Sequence, residues 1–502
     1  MKIFSASQIK ACDAYTVHAL QISSSELMER AAHKCFDWIC EHFGKDSLFV
    51  VLCGTGNNGG DGLVLTRLLH QAGYGVKAFQ LRISNSLSHD GALAEEKLKK
   101  IDENLLQQVL PDTYITDIPA NVVIVDAIFG TGLNRPLEGW PASFIRQINQ
   151  LPNLKIAIDI PSGMPADTIP GTDAAILHAN HTLSFQFYKR AFLHEETGEA
   201  AGTIHLLDIG LSPAFIEATH TYYRIITRDT LLNFFRPRKP FSHKGTYGNA
   251  LLIGGSHGMM GAIALSTRAA SRAGAGKVRC LVPRCGYNIL QTLTPEAMCS
   301  ISGENHIADL KHLEPADAIG LGPGLGTADI TFEAFEDFLE VQKEPMVVDA
   351  DALNLLARKK GLLNHLPANS ILTPHPKEFE RIFGEAADSL LRLEHARTQA
   401  MRYNIVIVLK GRYTAVCTPE GECWYNINGN AGLATGGSGD VLTGIITALL
   451  AQRYEPVEAA MLGVYLHGVA AEKALEHQSQ ESLIAWDLTN YLGSAFKELL
   501  AS

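Results

Sequence analysis

The sequence predicts an α/β protein built from two doubly wound αβα domains. The chain has 502 residues, more than one hydrophobic core normally serves, so two domains are expected. Short apolar strands alternate with helical segments in both halves, which is the pattern of parallel, doubly wound sheets. Each half also contains a glycine-rich loop directly after an apolar or small-residue stretch, at residues 54–62 and 436–440.

The composition favours a globular protein that acts on small molecules. Hydrophobic residues make up 46% and charged residues 19% of the chain, and the net charge is −11. An acidic chain is a poor partner for nucleic acid or for an anionic membrane surface. No apolar run approaches the roughly 18 residues of a membrane span, and the first residues lack the apolar core of a signal peptide. The nine cysteines form no Cys-x-x-Cys pair, so we expect free thiols, no metal framework and a cytoplasmic setting.

The first half is predicted to start with helices and to continue as a parallel sheet. Residues 14–43 have apolar positions at helical spacing. A buried strand at 47–53 then leads through the loop 54–62 into a helix at 63–72. Two further buried strands are predicted at residues 122–126 and 155–159. Ligands of such a sheet bind at the carboxyl ends of its strands.

The second half repeats this order of elements. A basic, proline-broken segment at residues 234–241 indicates the entry to a second domain, and we place the boundary near residue 225. The predicted domains are therefore 1–225 and 226–502. Strands are predicted at 250–255, 318–321, 346–351, 370–373 and 405–409, and helices at 262–273 and 441–450.

Polar side chains follow the apolar strands of the first half at three places. These side chains are Asn57, Asn58 and Asp61 in the first loop, Asp126 with Arg135 after the second strand, and Asp159 with Ser162 after the third. Carboxylate, amide and hydroxyl oxygens of this kind can surround a hard monovalent or divalent cation. One aspartate would then remain free for proton transfer.

Each of these positions also has a simpler interpretation. The spacing in loop 54–62 is not G-x-G-x-x-G, so it does not predict an ordinary dinucleotide site. Asp61 fits the N-cap of a helix equally well, and a single aspartate at a strand end is usually a turn former. Three polar clusters after three strands nevertheless favour a binding site over three independent turns.

The loop at residues 436–440, which runs straight into an apolar helix, predicts an anion site. Backbone N–H groups at a helix start lack intrahelical partners and attract phosphate oxygens. A carboxylate beside a bound phosphate is repelled by it, so Asp440 indicates a second role, namely removing a proton from an attacking hydroxyl. The alternative is that Asp440 merely caps the helix.

Three further segments of the second half have both functional and structural interpretations. His375 lies between two prolines at a strand end, which favours a contact with substrate over a structural role. Residues 410–414 bring two cations to the edge of the sheet, where they would suit contact with a nucleotide. The alternative is an ordinary hairpin turn with surface charges. The glycines at 322–326, and the small residues near Ala262, permit close approach of a ligand or tight packing.

The motifs together resemble a known pair of fused enzymes. Gly56-Asn-Asn-Gly-Gly-Asp-Gly62, Asp126 with Gly130-Thr-Gly132, and Asp159-Ile-Pro-Ser-Gly163 resemble the Rossmann-like NAD(P)H-hydrate epimerase domain. The second half, with Gly437-Ser-Gly-Asp440, resembles the ADP-dependent NAD(P)H-hydrate dehydratase of the ribokinase-like superfamily. The two resemblances cover nearly the whole chain.

For the first domain, the resemblance implies exchange between the R and S forms of NADH or NADPH hydrated at C6. It implies a potassium ion held by Asn58, Asp126 and Ser162, with Asp159 as the acid/base. The residues that would cradle the hydrate are Asn57, Asn58, Gly59, Gly60, Asp61, Gly130, Thr131, Gly132, Leu133, Asn134, Arg135, Pro136 and Asp159.

For the second domain, the resemblance implies that ADP phosphorylates the C6 hydroxyl and that phosphate is then eliminated, leaving AMP, phosphate and NAD(P)H. Asp440 would be the base, and magnesium would bridge the phosphates. The hydrate would contact Ala262, Gly324, His375 and Asp440; the adenine nucleotide would contact Lys410, Gly411, Arg412, Tyr413, Thr414 and Gly439. A homo-oligomer is expected from the same resemblance.

Two other functions remain open at this stage. Gly-Ser-Gly-Asp loops also serve small-molecule kinases, which would release a stable phosphorylated product. A nucleotide-sensing scaffold would bind the same molecules without turnover. The polar motifs of the first domain and the setting of His375 favour the repair enzyme.

Overall fold

The computed structural model describes residues 1–84, 86–113, 115, 118–311 and 313–501. It divides into two compact units, one of Lys2–Thr221 and one of Tyr222–Ser502 together with Met1. In the described part of the chain, no helix combines the length and the apolar character needed to cross a membrane.

The first unit is a seven-stranded, wholly parallel sheet flanked by helices. Its strand order is β3-β2-β1-β4-β5-β6-β7. The strands are β1 Leu48–Cys53, β2 Gly75–Leu81, β3 Leu106–Val109, β4 Val122–Ala127, β5 Lys155–Ile158, β6 His181–Phe185 and β7 Thr203–Leu207. The helices are α1 Ala6–Leu20, α2 Ser24–His42, α3 Asn57–Gln71, α4 His89–Ile101, α5 Gly139–Gln150, α6 Glu195–Gly198 and α7 Pro213–Ala218.

The order of strands reverses between β1 and β4, and this reversal positions the site. Chains that leave neighbouring parallel strands in opposite directions open a crevice at the carboxyl edge of the sheet. The loops after β1 and β4 are the predicted polar segments, so they border this crevice. One apolar core, which includes Cys35, Val51 and Leu65, packs on one face of the sheet. Another, which includes Leu52, Ile124 and Phe144, packs on the opposite face.

The second unit is a ten-stranded sheet of order β11-β10-β9-β12-β13-β14-β15-β16-β17-β8. It is parallel from β11 to β15; β16 is antiparallel to both neighbours, and β8 is parallel to β17. The strands are β8 Tyr223–Ile225, β9 Asn249–Ile253, β10 Lys277–Val282, β11 Met298–Ile301, β12 Ala318–Leu321, β13 Met346–Val348, β14 Ile371–Leu372, β15 Val406–Leu409, β16 Ala415–Cys417 and β17 Cys423–Tyr425.

Ten helices of this unit are described: α8 Arg228–Leu232, α9 Met260–Arg272, α10 Tyr287–Leu293, α11 Asp329–Val341, α12 Ala350–Arg358, α13 Pro376–Phe383, α14 Ser389–Tyr403, α15 Ser438–Ala451, α16 Pro456–Ala474 and α17 Ala485–Leu500. Helix α15 lies in the core, where residues such as Val441, Ile445 and Leu449 are buried. An apolar helix of this kind is stable only when it is covered on all sides.

The predicted fold class, two doubly wound α/β domains, is confirmed, and the differences concern element boundaries. Helix α3 begins at Asn57, so much of the predicted loop 54–62 is helical. The predicted strand 346–351 ends at Val348, because Asp349 is the N-cap of α12. Residues 223–225 form β8 and belong to the second sheet.

Candidate active sites

A cleft of about 850 Å³ opens at the carboxyl edge of the first sheet. Most of the predicted substrate-binding residues line it: Asn57, Asn58, Asp61, Gly130, Thr131, Gly132, Leu133, Asn134, Arg135 and Asp159. Pro136 is not among the lining residues. Gly59 and Gly60 are buried inside α3, where a Cβ at Gly59 would lie 2.0 Å from the carbonyl oxygen of Gly54. These two glycines therefore allow the helix to pack.

Asp126 and Ser162 form a buried polar pair at the carboxyl edge of this sheet, and Asn58, which is also buried, lines the cleft there. Asp126 Oδ1 accepts a hydrogen bond of 2.6 Å from Ser162 Oγ, and Asp126 Oδ2 accepts one of 2.7 Å from the Ser162 backbone N–H. Burial raises the pKa of Asp126 to about 6, although its bonds to Ser162 oppose the rise. Asn58 donates to the carbonyl oxygen of Ile158, and its own buried Oδ1 has no hydrogen-bond partner. A Cβ at Gly130, four residues after Asp126, would lie 3.3 Å from the Cβ of Asn58. A buried oxygen without a partner, close to the segment that follows Asp126, is the kind of position that a cation fills.

Asp159 lies at the end of β5 and is held by a buried lysine. Lys189 Nζ donates to Asp159 Oδ1 at 2.6 Å and to Ser184 Oγ at 2.8 Å, and Lys189 is only 1% exposed. Asp159 has a φ of +64°, which a non-glycine residue adopts at some energetic cost. The surrounding contacts thus hold the carboxylate at the floor of the cleft.

Two more carboxylates face the same cleft. Burial and then the charge of Asp159 raise the pKa of Asp61 well above its ordinary value. The same two causes, in the same order, raise the pKa of Asp13 to about 6. Sequence reasoning missed Asp13 and Lys189, because they lie in α1 and after β6, far along the chain from the glycine loops.

The second site is built around the start of α15. Gly437 precedes this helix with a φ of +91°, a conformation that favours glycine. Asp440 lies in the first turn and is half-buried. Burial, followed by the charge of Asp349, raises the pKa of Asp440 to about 7, whereas Lys410 opposes the rise. A carboxylate with a pKa near neutrality is well suited to accept a proton.

Lys410 connects the other charged groups of this site. Its Nζ donates to Asp349 Oδ1 at 2.9 Å and lies 3.7 Å from Glu378 Oε2. Asp349 is 1% exposed, and its Oδ2 accepts a hydrogen bond of 2.6 Å from Thr443 Oγ1 in α15. Although burial lowers the pKa of Lys410, Asp349 and Glu378 raise it overall, so the lysine stays charged.

His375 caps α13 as well as facing this group. Its Nδ1 accepts a hydrogen bond from the Glu378 backbone N–H, and Glu378 Oε2 accepts one from the His375 N–H. Burial and the nearby Lys410 lower the pKa of His375, so the ring is neutral. Its Nε2 lies 3.4 Å from Glu378 Oε1, and the side chain is 46% exposed, so part of the ring is accessible to a ligand.

The remaining predicted residues lie close to these groups or at the rim. A Cβ at Gly324 would lie 2.3 Å from the carbonyl oxygen of Met259 and 3.1 Å from the Cβ of Ala262, so Gly324 and Ala262 are neighbours. A Cβ at Gly439 would lie 3.3 Å from Lys410 Nζ. Gly411 and Arg412 are exposed, and Tyr413 and Thr414 are partly buried.

Sequence reasoning missed three further groups in the second unit. Asp349 and Glu378 hold Lys410, and His467 Nε2 donates to the carbonyl oxygen of Ser438 at 2.9 Å. Burial lowers the pKa of His467 to about 4, so it is neutral. The strand-end position of Asp349 was the signal that could have identified it. Over the described residues, no three His, Cys, Asp or Glu side chains form a ready-made metal cage.

Both sites have the form of an acid–base centre. In the first site, Asp159 is bound by Lys189. In the second, the charge of Lys410, which is bound to Asp349, acts on Asp440, and the start of a helix is suited to anions. The molecule is thus a two-site α/β enzyme for small-molecule substrates.

Comparison with known proteins identifies the family. A family model described as NAD(P)H-hydrate dehydratase matches residues 250–493, and one described as YjeF-related protein N-terminus matches residues 24–191. The bifunctional NAD(P)H-hydrate repair enzyme Nnr of Moorella thermoacetica is 35% identical, over 99% of this chain and 97% of its own. The Escherichia coli enzyme of the same name is 34% identical, over 98% and 93%.

A solved structure of an NAD(P)H-hydrate dehydratase matches about half of the chain. The ADP/ATP-dependent NAD(P)H-hydrate dehydratase from Bacillus subtilis, co-crystallised with ATP and Mg²⁺, is 35% identical. The match covers 55% of this chain and 98% of that chain, with a TM-score of 0.49. The chain belongs to the family of bifunctional NAD(P)H-hydrate repair enzymes. The predicted function, an NAD(P)H-hydrate epimerase joined to a dehydratase, is thereby confirmed at the level of the enzyme's activities.

Proposed function

We propose that the two activities occupy the two sites described above: epimerisation in the cleft around Asp159, and ADP-dependent dehydration at the start of α15. The observation that carries this assignment is the half-buried Asp440 carboxylate, with a pKa raised to about 7, in the first turn of a helix that follows a glycine loop. A base and an anion site are the two parts that phosphoryl transfer to an alcohol needs.

In the dehydratase site, Asp440 takes the proton from the C6 hydroxyl as that oxygen attacks the terminal phosphate of ADP. Lys410, kept charged by Asp349 and Glu378, stabilises the negative charge of the transferred group. Hydroxide is a poor leaving group and phosphate a good one, so elimination of phosphate restores the dihydronicotinamide. His375, Ala262 and Gly324 would contact the hydrate, and Gly439 with residues 410–414 the nucleotide.

Magnesium fits this site as a metal held mainly by the substrate. The carboxylates of Asp349, Glu378 and Asp440 surround one lysine, and the described residues form no closed cage. Magnesium commonly uses one or two carboxylates together with phosphate oxygens and water. When bound, it would neutralise charge on the phosphates.

In the epimerase cleft, Asp159 exchanges protons with the hydrate while the loop 130–135 and Asn57 hold it. Potassium fits this edge of the sheet, because Asn58 Oδ1 is buried without a partner, and the buried Asp126 carboxylate and Ser162 Oγ lie at the ends of the neighbouring strands β4 and β5. Asn58, Asp126 and Ser162 would hold the ion, which would supply a fixed positive charge there. The predicted homo-oligomer stays a prediction.

The decisive test is turnover of hydrated NADH with ADP and magnesium by the full chain. We expect recovery of the NADH absorbance and release of one phosphate for each hydrate consumed. Asp440→Asn should lower this rate by about 10²–10⁴-fold, the usual contribution of a general base. A stable phosphorylated product would instead establish a kinase, and an unchanged rate in Asp440→Asn would exclude Asp440 as the base.

A further inference from the structure

One side of α1 forms a wall of the epimerase cleft. Ala6 and Lys10 are four residues apart, as are Ile9 and Asp13, so all four lie on one side of the helix, and all four line the cleft. The start of this helix is fixed by a capping box at Ser5. Asp13 is the only acidic residue of α1, so the wall presents a single carboxylate from a rigid element.

Asp13 and Asp159 differ in their surroundings. The carboxylate of Asp159 is bound by the buried Lys189 in a direct ion pair of 2.6 Å. No described cation forms an ion pair with Asp13, which is partly buried; the charge of Asp159 raises its pKa and the more distant Lys189 opposes the rise. Two carboxylates that share a site cannot both be charged without cost, so we place the proton on the one without a direct ion pair.

We propose that Asp13 is the general acid of the epimerisation, and that Asp159 is its partner base. This inference rests on the proposed function of the cleft. The reaction requires the C6 hydroxyl to leave and water to return on the other face. A residue that gives a proton and a residue that takes one divide this work between them.

In this reaction the exchange at C6 passes through a cation of the nicotinamide ring. Asp13 transfers its proton to the C6 oxygen, the C6–O bond breaks, and water departs as the lone pair of the ring nitrogen forms a C=N bond. A water molecule then adds to C6 from the opposite face, its electron pair forms the new C–O bond, and its proton passes to Asp159. Proton exchange with solvent returns both carboxyl groups to their starting states.

The other charged groups of the cleft are consistent with this division. The cleft is also lined by Lys10, Asp61, Arg135 and Asp167. Asp61 is nine-tenths buried, and the charges of Asp159 and Asp13 further oppose its ionisation, so releasing its proton is costly. Asp13 has a pKa raised to about 6, so it releases and regains a proton readily near neutral pH.

The test measures R-to-S conversion of hydrated NADH by the full chain against pH. Activity needs protonated Asp13 and charged Asp159, so kcat/KM should fall as pH rises above about 6. Asp13→Asn should lower kcat by about 100-fold and remove this fall, with KM little changed. Asp37→Asn makes the same chemical change at an exposed position of α2 and should behave as the unaltered chain.

Two further variants keep the outcomes distinct. Asp13→Glu retains a carboxylic acid, so it should keep both the pH dependence and at least a tenth of the rate; it decides the question if Asp13→Asn does not fold. Suppose that Asp159→Asn abolishes epimerisation, whereas Asp13→Asn keeps a kcat within threefold of the unaltered chain and the same pH profile. Asp13 is then not the acid. If Asp159→Asn is fully active, the proposed function of the cleft itself is wrong.

Discussion

At the scale of single residues, each site contains a lysine paired with a buried aspartate. Lys189 binds Asp159 in the first unit, and Lys410 binds Asp349 in the second. A buried ion pair contributes little net stability, but removing one partner leaves an uncompensated charge. The contribution of each lysine is therefore best measured by removing it and by removing both members of its pair.

Replacing Lys189 should separate this electrostatic role from packing. Lys189→Met leaves Asp159 without its counter-charge, so we expect epimerase activity at pH 7 to fall at least tenfold. The free energy of unfolding of the first unit should fall by about 3 kcal/mol, the cost of breaking a buried pair. Urea unfolding and the epimerisation assay measure the two effects. In the double variant Lys189→Met, Asp159→Asn the stability should recover in part but the activity should not. If the double variant is no more stable than Lys189→Met, an uncompensated charge is not the cause of the lost stability.

The dehydratase should show the opposite pH dependence from the epimerase. Asp440 accepts a proton only when it is charged, and its pKa is raised to about 7. The rate should therefore rise as pH increases through about 7 and level off above it. Single-turnover rates at saturating hydrate and ADP measure this, and a rate that is flat between pH 6 and 8 would exclude Asp440 as the titrating base.

At the scale of elements, the start of α15 is set by backbone geometry that few residues allow. Gly437 has a φ of +91°, and a Cβ there would lie 2.5 Å from Leu265 Cδ1. His467 binds the carbonyl oxygen of Ser438, and Thr443 binds Asp349. The position of Asp440 thus depends on contacts from α9, α12 and α16.

Gly437→Ala should test this dependence. A left-handed conformation costs a residue with a Cβ about 1–2 kcal/mol, and the contact with Leu265 adds to it. We expect lower stability of the second unit and at least a tenfold loss of dehydratase rate, with epimerase activity unchanged. Gly436→Ala is the matched stability control, because a Cβ there would meet nothing within 4 Å. If the two variants unfold at the same temperature, the geometry of Gly437 is not limiting.

Boundaries were the weakest part of the prediction at this scale. The glycines of loop 54–62 predict a turn, yet residues from Asn57 onward are helical. Gly59 has no room for a Cβ beside Gly54, and Gly60 packs against the side chain of Met28. Close packing, which depends on distant residues, determined this helix start, whereas local propensity alone disfavours it.

At the scale of the whole molecule, the two units have separate sheets, cores and sites. We therefore predict that both activities survive when the chain is divided into two fragments, provided that each fragment keeps all the strands of its own sheet. Strand β8 is an edge strand of the second sheet, paired with β17, so a fragment of residues 222–502 keeps it and one of 226–502 loses it.

The two fragments should differ in dehydratase activity and in unfolding temperature. We expect 222–502 to retain dehydratase activity and to unfold at a higher temperature than 226–502, in which the edge of β17 is exposed. Residues 1–221 should retain epimerase activity. Thermal unfolding and the two assays measure this, and loss of both activities after either cut would show that the units depend on each other.

The sequence alone determined the fold class, the family and the polar loops that follow the strands of the two sheets. Alternating apolar strands and glycine loops are local patterns, and parallel sheets bring the ends of their strands to one edge whatever the details of packing. Only the tertiary structure placed Asp13 and Lys189 in one site, and Asp349, Glu378 and His467 in the other. These residues lie far from the motifs along the chain, and the charge of a carboxylate depends on which groups folding brings beside it and on how much water it excludes.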